Sequence, residues 1–298
     1  MLFRSPRRLI LAALAALVLV AGIAFYFVHH APTPEAPSAP EAATTTPVVS
    51  TIGTSVEGRA IRAYTYGTGP THLLFVGGMH GGYEWNSVLL AYQAMDYLAA
   101  NPNVLPSGLS VTIVPDANPD AVFLATGKEG RFTAADVPSD KTSLAAARFN
   151  ADDVDLNRNF ACHWAPESTW QGRTVSAGTA AFSEPEAAAI RDLVAAIKPI
   201  AVVFWHSQAG AVYASECDNG VLPGTFALMN AYAKAADYPA VESFNAYPIT
   251  GDSEGWLASI GIPAVTVELS SHDSIQWDKN RAGMQALFAL YGTSAVSR

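Results

Sequence analysis

The sequence predicts an α/β fold, with a mostly parallel mixed sheet that carries helices on both faces. Two observations lead to this class. Residues 72–76, 200–205 and 264–269 are short apolar runs without polar alternation, which is typical of strands buried on both faces. These runs alternate with segments of helical periodicity, such as residues 84–100. Alternation of strands and helices is typical of a parallel sheet.

Further elements are predicted along the chain. Residues 109–114 form another apolar run, and we expect a strand there. The spacing from Ser183 to Glu186 fits a capping box with a proline in the first helical turn, so a helix should extend to about Lys198. A last helix is expected over residues 277–291. Sheets of this class bind ligands at the carboxyl ends of their strands, where the chemistry is to be sought.

The first thirty residues are apolar enough to cross a bilayer. Residues 9–28 carry no charge, and a helix of this length spans roughly 30 Å, the thickness of the hydrocarbon core. The run is preceded by Arg4, Arg7 and Arg8, and basic residues favour the cytoplasmic side. We therefore expect residues 1–30 to be a membrane anchor that leaves the rest of the chain outside the cytoplasm.

A cleavable signal peptide is the alternative for this segment. Gly22 and Ala24 have the small-x-small spacing of a cleavage site. Cleavage there would release a secreted protein.

The rest of the chain divides into a tether and one domain. Residues 31–48 are rich in Pro, Ala and Thr, which predicts a semi-extended spacer without a core. Residues 49–298 contain no repeat and no second linker, so we expect a single domain there. We also expect this domain to be a monomer.

Composition excludes two classes of protein. Hydrophobic residues make up 50% of the 298 residues and charged residues 14%, which is the opposite of the balance in disordered chains. The net charge is −9, whereas proteins that bind nucleic acid usually carry an excess of basic residues. We therefore expect a folded protein without a nucleic-acid partner.

The two cysteines predict a disulfide. Cys162 and Cys217 lie in a domain that we expect in an oxidising compartment, where paired cysteines are commonly bridged. A bridge closing a loop of this size would stabilise the fold by about 4 kcal/mol in the loop-entropy model. Two buried free thiols are the alternative.

Three predicted strands end in residues that can bind or assist a metal. His80 and Glu84 follow the strand at 72–76, and His206 and Glu268 lie at the ends of two others. Two His and one Glu leave the open position of a catalytic zinc site, and a second carboxylate can accept a proton from the attacking water. Each residue alone is also compatible with a structural role.

The order of the motifs resembles that of the zinc metallocarboxypeptidases of the carboxypeptidase A/B type. The resemblance covers nearly all of the chain after the tether, and residues 247–256 are similar to a further segment of that family. The matching motifs, in order, are His80-Gly81 with Glu84, Asn118-Pro119-Asp120, Asp155-Leu156-Asn157-Arg158-Asn159-Phe160, His206-Ser207 and Glu268-Leu269.

The resemblance implies a catalytic role for five residues. His80, Glu84 and His206 match the ligands of one zinc ion per chain. Glu268 matches the general base that activates water. Arg148 matches an arginine that stabilises the oxyanion, and Arg131 is its rival for this role.

The resemblance also implies how substrate binds. Asn157 and Arg158 match the pair that holds the terminal carboxylate of the substrate, and Tyr247 matches a tyrosine that closes over it. Glu254 takes the position that lines the pocket for the terminal side chain, which predicts a preference for Lys, Arg or diamino-acid ends. A solvent-facing Glu254 at a helix N-terminus is the alternative.

One departure concerns the first two ligands. The family has His-x-x-Glu, whereas this chain has one residue more between His80 and Glu84. Gly81 and Gly82 could accommodate the extra residue in a looser turn. Three other histidines lack partners at ligand spacing, and we expect structural or surface roles for His72, His163 and His272.

We therefore expect an exported zinc carboxypeptidase that hydrolyses the C-terminal peptide bond of a peptide or murein peptide. A murein-peptide hydrolase of the same family, which cuts γ-D-glutamyl–diamino-acid bonds, is one alternative. An N-acyl amino acid deacylase is another. An inactive anchored binding module is the alternative from a different class, and Glu268 argues against it because binding alone needs no general base.

Overall fold

The computed structural model describes residues 46–244 and 249–292. Twelve strands are formed in these residues, and eight of them build one sheet in the order β1-β2-β4-β3-β7-β12-β8-β11. The strands are β1 Val48–Thr54, β2 Ala60–Tyr66, β3 Thr71–Val76, β4 Leu109–Val114, β5 Glu167–Trp170, β6 Arg173–Ser176, β7 Ala201–Ser207, β8 Val212–Ala214, β9 Glu216–Cys217, β10 Gly220–Val221, β11 Ala240–Val241 and β12 Ala264–Leu269.

The centre of the sheet is parallel. Strands β4, β3, β7 and β12 are neighbours and run in the same direction. On one side β4 pairs antiparallel with β2, which pairs antiparallel with β1. On the other side β12 pairs antiparallel with β8. The predicted class, a mostly parallel mixed sheet, is confirmed.

Seven α-helices accompany the sheet within the described residues. Several end in a left-handed residue, including Gly127, and such a residue stops a helix by turning the chain away. The helices are α1 Trp85–Ala100, α2 Pro119–Thr126, α3 Lys141–Ala146, α4 Pro185–Ile197, α5 Pro223–Ala236, α6 Ser253–Ser259 and α7 Trp277–Gly292.

Both faces of the sheet are buried, because alternate side chains of each central strand enter different cores. In β3, Leu73 and Phe75 pack with α1, α5 and α7, whereas Leu74 and Val76 pack with α4 and α6. In β7, Trp205 lies in the first core and Phe204 in the second. The strands are therefore apolar throughout, and this is why their sequences show no alternation.

The structure corrects one predicted helix start. Helix α4 begins at Pro185 with Glu184 as its N-cap, so the capping box predicted from Ser183 is wrong. The backbone N–H of Glu184 donates to Asn159 Oδ1 at 3.0 Å, and the buried Glu186 side chain accepts from the backbone of Val56. The Ser183 N–H, which the expected box would pair with Glu186, donates instead to the Ala180 carbonyl at 3.0 Å.

The predicted anchor and most of the predicted tether lie outside the described residues. No helix within residues 46–244 and 249–292 is long and apolar enough to cross a membrane. The anchor at 1–30 and the tether at 31–48 stay predictions, although strand β1 already begins at Val48, inside the last residues of the predicted tether.

Candidate active site and metal centre

The ends of β3 and β7 bring three potential metal ligands together. His80 Nδ1 lies 2.8 Å from Glu84 Oε1, and His206 Nδ1 lies 2.9 Å from Glu84 Oε2. The two Nδ1 atoms are 3.1 Å apart, and all three side chains are buried. Ligand atoms at zinc bond lengths lie about 3.4 Å apart in a tetrahedron. Two imidazoles and a carboxylate that face one point therefore fit a zinc ion.

The extra residue between His80 and Glu84 is accommodated by a tight turn. Gly81–Glu84 form a 3-10 turn, and Gly81 has φ +44°, a conformation that glycine adopts easily. A Cβ on Gly82 would lie 2.3 Å from Ala125 Cβ of helix α2. The turn can therefore pack against α2 only with glycine here, and the packing places Glu84 beside His80.

The second ring nitrogen of His80 faces a buried carboxylate. His80 Nε2 lies 3.4 Å from Asp155 Oδ1. Arg148 holds this carboxylate through Nε and Nη2, at 3.1 and 2.9 Å from Oδ2. A carboxylate behind a metal-binding imidazole fixes its tautomer and orientation. Asp155 is placed to fix the His80 ring in this way, and it belongs to the same motif as Asn157.

The ring of His206 has a corresponding neighbour. Its Nε2 lies 3.5 Å from Glu254 Oε1. Burial raises the pKa of Glu254, but the adjacent His206 imidazole and the Ser253 hydroxyl outweigh this and bring the pKa down to about 2. Glu254 is 3% exposed, so the alternative of a solvent-facing residue is wrong. Its predicted contact with a substrate side chain stays a prediction.

Glu268 lies beside the candidate ligands on the neighbouring strand. It pairs with His206 in the register of β12 and β7, and the backbone N–H of Ala209 donates to its Oε2 at 3.2 Å. Burial, with the negative charge of Glu84 as a second cause, raises the pKa of Glu268 to about 7. A carboxylate with such a pKa can accept and return a proton near neutral pH.

The two remaining carboxylates of the centre stay ionised. Burial raises the pKa of Glu84, but the charges of His80 and His206 lower it below its ordinary value. Burial likewise raises the pKa of Asp155, and Arg148 with His80 holds it well below the ordinary value. Glu84 is therefore in the form that binds a cation.

The predicted carboxylate-binding pair lies in the wall of the same cavity. This cavity has a volume of about 970 Å³, and Asn157, Arg158 and Glu268 all line it. Asn157 Oδ1 accepts from the backbone N–H of Ser253 at 2.9 Å, which orients the amide. Arg158 Nη1 donates to the Asn157 carbonyl at 2.6 Å. The predicted partner Tyr247 lies outside the described residues.

The two rival arginines lie in different places. Arg148 is 4% exposed, lines the cavity and places Nη1 3.6 Å from Glu84 Oε1. Arg131 forms a surface ion pair with Asp96 at 2.7 Å and is half-exposed. Of the two, Arg148 alone lines the cavity beside the candidate ligands. Whether it stabilises an oxyanion stays a prediction.

The structure adds residues that the sequence analysis did not assign to the site. His272 was expected to have a structural or surface role, yet it lines the cavity and its Nδ1 lies 2.6 Å from Ser207 Oγ. Trp170, at the tip of the β5–β6 hairpin, lines the cavity and stacks on the Arg148 guanidinium at 4.7 Å. No local sequence pattern predicts that either residue lies in the site, because each contacts a partner that is remote in the sequence.

The other two histidines lie away from the candidate ligands. The ring of His163 pairs with Asp218 at 2.6 Å on the surface, as expected for a surface histidine. His72 is half-buried in β3, and burial lowers its pKa.

The predicted disulfide is present. Cys162 and Cys217 are bridged, with their Cα atoms 6.3 Å apart, and the described residues contain no free cysteine. Both half-cystines line the cavity. The bridge ties the segment after Asn159 to strand β9 and so joins two walls of the candidate site.

Comparison with known proteins identifies the class of this fold and site. Residues 41–289 match the sequence profile of the zinc carboxypeptidase family, peptidase family M14. The chain belongs to this family, as its motifs predict.

Individual relatives are distant. A γ-D-glutamyl-L-diamino acid endopeptidase 1 of Lysinibacillus sphaericus is 25% identical, over 74% of this chain. The chain spans about 60% of the length of that relative.

Solved structures of low identity share the fold. The murein-tripeptide amidase MpaA of Escherichia coli O157 has a TM-score of 0.58 at 23% identity. The match covers 86% of this chain and 98% of the amidase chain. Carboxypeptidase A of Helicoverpa armigera has a TM-score of 0.62 at 20% identity. The match covers 85% of this chain and 70% of the carboxypeptidase chain.

Proposed function

We propose that the protein is a zinc-dependent carboxypeptidase that hydrolyses the C-terminal peptide bond of its substrate. One observation carries the proposal: His80, Glu84 and His206 converge on one point, and Glu268 follows on the adjacent strand. Bound zinc supplies a Lewis acid that lowers the pKa of water and polarises a carbonyl. The donor set of two His and one Glu suits this ion.

Each residue around this point has a task in the proposed reaction. Glu268 accepts a proton from the attacking water and passes it to the departing amine. Arg148 stabilises the negative charge that develops on the carbonyl oxygen. Asn157 and Arg158 hold the terminal carboxylate, since a guanidinium offers it two parallel donors. Tyr247 is proposed to close over the bound end.

A murein peptide is the second candidate substrate. The family relative from Lysinibacillus sphaericus is named for γ-D-glutamyl-diamino acid bonds, and the chain covers nearly the whole fold of a murein-tripeptide amidase. A murein tripeptide that ends in a diamino acid also presents a free carboxylate next to an amide bond. The same arrangement of Asn157, Arg158 and Glu268 therefore suits both substrates.

The proposed place of action agrees with such substrates. The apolar segment at 1–30 would anchor the protein in the membrane, or be cleaved to secrete it, and either outcome leaves the domain outside the cytoplasm. The disulfide between Cys162 and Cys217 suits an oxidising compartment. Peptides of the cell envelope would be within reach there.

The test compares three substrate classes with the purified protein. Blocked dipeptides, a murein tripeptide and N-acyl amino acids are each incubated with and without a chelator, and zinc is then added back. We expect cleavage of one of the first two, its loss with chelator and its recovery with zinc. His206→Ala should abolish both zinc binding and cleavage, whereas the surface variant Glu129→Gln should retain both.

Two results would contradict the proposal. Cleavage confined to N-acyl amino acids would assign a deacylase. Retention of zinc without cleavage of any substrate would indicate a binding module.

A further inference from the structure

We infer that Glu254 is a positioning residue for His206: its carboxylate accepts the Nε2–H of the ring and thereby keeps Nδ1 free to bind metal. The inference rests on the proposed zinc site and deepens it. It gives Glu254 a different task from the one that its place in the motif predicts, which is contact with the terminal side chain of a substrate.

The two nitrogens of His206 face opposite surroundings. Nδ1 points toward Glu84 and His80, at 2.9 and 3.1 Å. Nε2 is buried, and within the described part of the chain no polar group other than Glu254 is placed to accept its proton. Glu254 is the one carboxylate there within 4 Å of this atom. A neutral imidazole that offers Nδ1 to a metal carries its proton on Nε2, where it needs an acceptor.

The Glu254 carboxylate is held in place by two hydroxyl groups. Thr266 Oγ1 donates to Oε1 at 2.9 Å, and Ser253 Oγ donates to Oε2 at 2.9 Å. Thr266 belongs to β12, the strand that also carries Glu268, and β12 is paired with the strand of His206. The carboxylate is therefore fixed relative to the ring that it faces.

The arrangement repeats the one behind the other imidazole. His80 Nε2 lies 3.4 Å from Asp155, and Arg148 holds that carboxylate. Both histidines thus direct Nδ1 at the common point and Nε2 at a buried, restrained carboxylate. A zinc site with Nδ1 ligands requires that both imidazoles carry their proton on Nε2 and keep a fixed orientation.

Glu254 lines the cavity, but the same contacts already engage its carboxylate and so disfavour a substrate cation there. Its side chain is almost fully buried, and each oxygen is already engaged with a hydroxyl group. A Lys or Arg end would have to compete with these groups and with His206. We therefore expect a preference for basic ends, if one exists, to depend on other residues of the cavity.

The test measures zinc affinity in the whole protein, without substrate. Glu254→Gln keeps the shape of the side chain and removes its charge, and Glu167→Gln on the exposed edge of the β5–β6 hairpin is the matched control. We expect the zinc Kd, from competition with a chromophoric chelator, to rise about 10- to 100-fold in Glu254→Gln and to stay unchanged in the control. The visible spectrum of the Co²⁺-substituted protein should also shift.

Substrate preference is measured on the same variants. The ratio of kcat/KM for Lys-ended to Leu-ended peptides should be the same in Glu254→Gln and in the wild type. A zinc Kd within twofold of the wild type would overturn the inference, and a tenfold fall in that ratio would then assign Glu254 to the substrate pocket. Because zinc affinity is read without turnover, failure of the proposed peptidase activity would leave this result standing.

A measurement on the wild type covers the case in which the variant does not fold. With zinc bound, correlation of ring ¹⁵N and ¹H signals should show a slowly exchanging proton on His206 Nε2. A zinc-bound His206 that carries its proton on Nδ1, or a rapidly exchanging Nε2–H, would contradict the inference.

Discussion

Glu268 and His206 are direct neighbours in the register of two parallel strands, β12 and β7. The sheet thus fixes the distance between the proposed general base and a proposed metal ligand without any loop. Because the two strands are parallel and paired in this register, their carboxyl ends lie at the same edge of the sheet. A base held in this way can act on water at the metal without being a ligand itself.

We predict that Glu268→Gln abolishes turnover and retains zinc. The amide cannot accept the proton, so kcat should fall by about 10²- to 10⁴-fold, the range for loss of a general base. About one zinc per chain should remain bound, because the three ligands are untouched. Steady-state kinetics and metal analysis of the same sample check this, with Glu129→Gln as a surface control. Near-normal activity in Glu268→Gln would exclude the proposed mechanism.

The parallel centre of the fold and the candidate ligands could be predicted because burial leaves a local signal. Strands covered on both faces are apolar throughout, and His80, His206 and Glu268 follow or end such runs. The outer strand β2 was missed, although Ile61 and Ala63 alternate with the exposed Arg62. That alternation is the signal of a strand with one buried face.

The residues behind the ligands could not be predicted in the same way. Asp155 reaches His80, and Glu254 reaches His206, across long stretches of chain. The partner of His272, Ser207, is equally remote. Such contacts depend on how separate elements pack, and spacing along the sequence does not encode them. The order of the motifs predicts that Glu254 lies in the site. Only its neighbours in the folded structure indicate that its carboxylate faces His206.

Gly82 offers a test of the turn that accommodates the extra residue. We predict that Gly82→Ala destabilises the fold by about 1 to 3 kcal/mol, the usual cost of overpacking, and weakens zinc binding. The added Cβ would lie 2.3 Å from Ala125 Cβ, so the turn that carries Glu84 must shift. Urea unfolding and chelator competition check the two effects.

Two further variants make this test specific. Gly108→Ala is the matched control, because the nearest atom to its new Cβ is 3.8 Å away. Ala125→Gly in the Gly82→Ala background should recover part of the zinc affinity, since it removes the closest clash. If Gly82→Ala bound zinc like the wild type, the turn would not determine the position of Glu84.

The disulfide is predicted to stabilise the domain. Cys162 and Cys217 are 55 residues apart, and replacing both by Ser should lower the free energy of unfolding by about 4 kcal/mol in the loop-entropy model. Urea unfolding of the wild type with reductant should approach that of the double variant, and the double variant should not respond to reductant. Alkylation of two thiols in native, unreduced protein would show that the bridge is absent.

Asp116 is predicted to make stability depend on pH. It is 7% exposed, and burial, with the charge of Asp120 as a further cause, raises its pKa to about 7. Between pH 4 and 7 the folded protein therefore binds a proton that the unfolded chain, with an ordinary aspartate pKa, has lost. Stability from this group decreases as pH rises through that window, by at most about 1.4 kcal/mol per pH unit.

Asp116→Asn should remove this dependence and keep the local structure. The amide oxygen can still accept the Asn118 backbone N–H, which lies 3.1 Å from Oδ1 in the wild type. We expect the loss of stability between pH 5 and pH 8, measured by urea unfolding, to be smaller in Asp116→Asn than in the wild type. The exposed variant Asp152→Asn should behave like the wild type, which separates the buried group from a general change in charge. Equal pH dependence in all three proteins would mean that Asp116 is ionised in the folded state throughout this range.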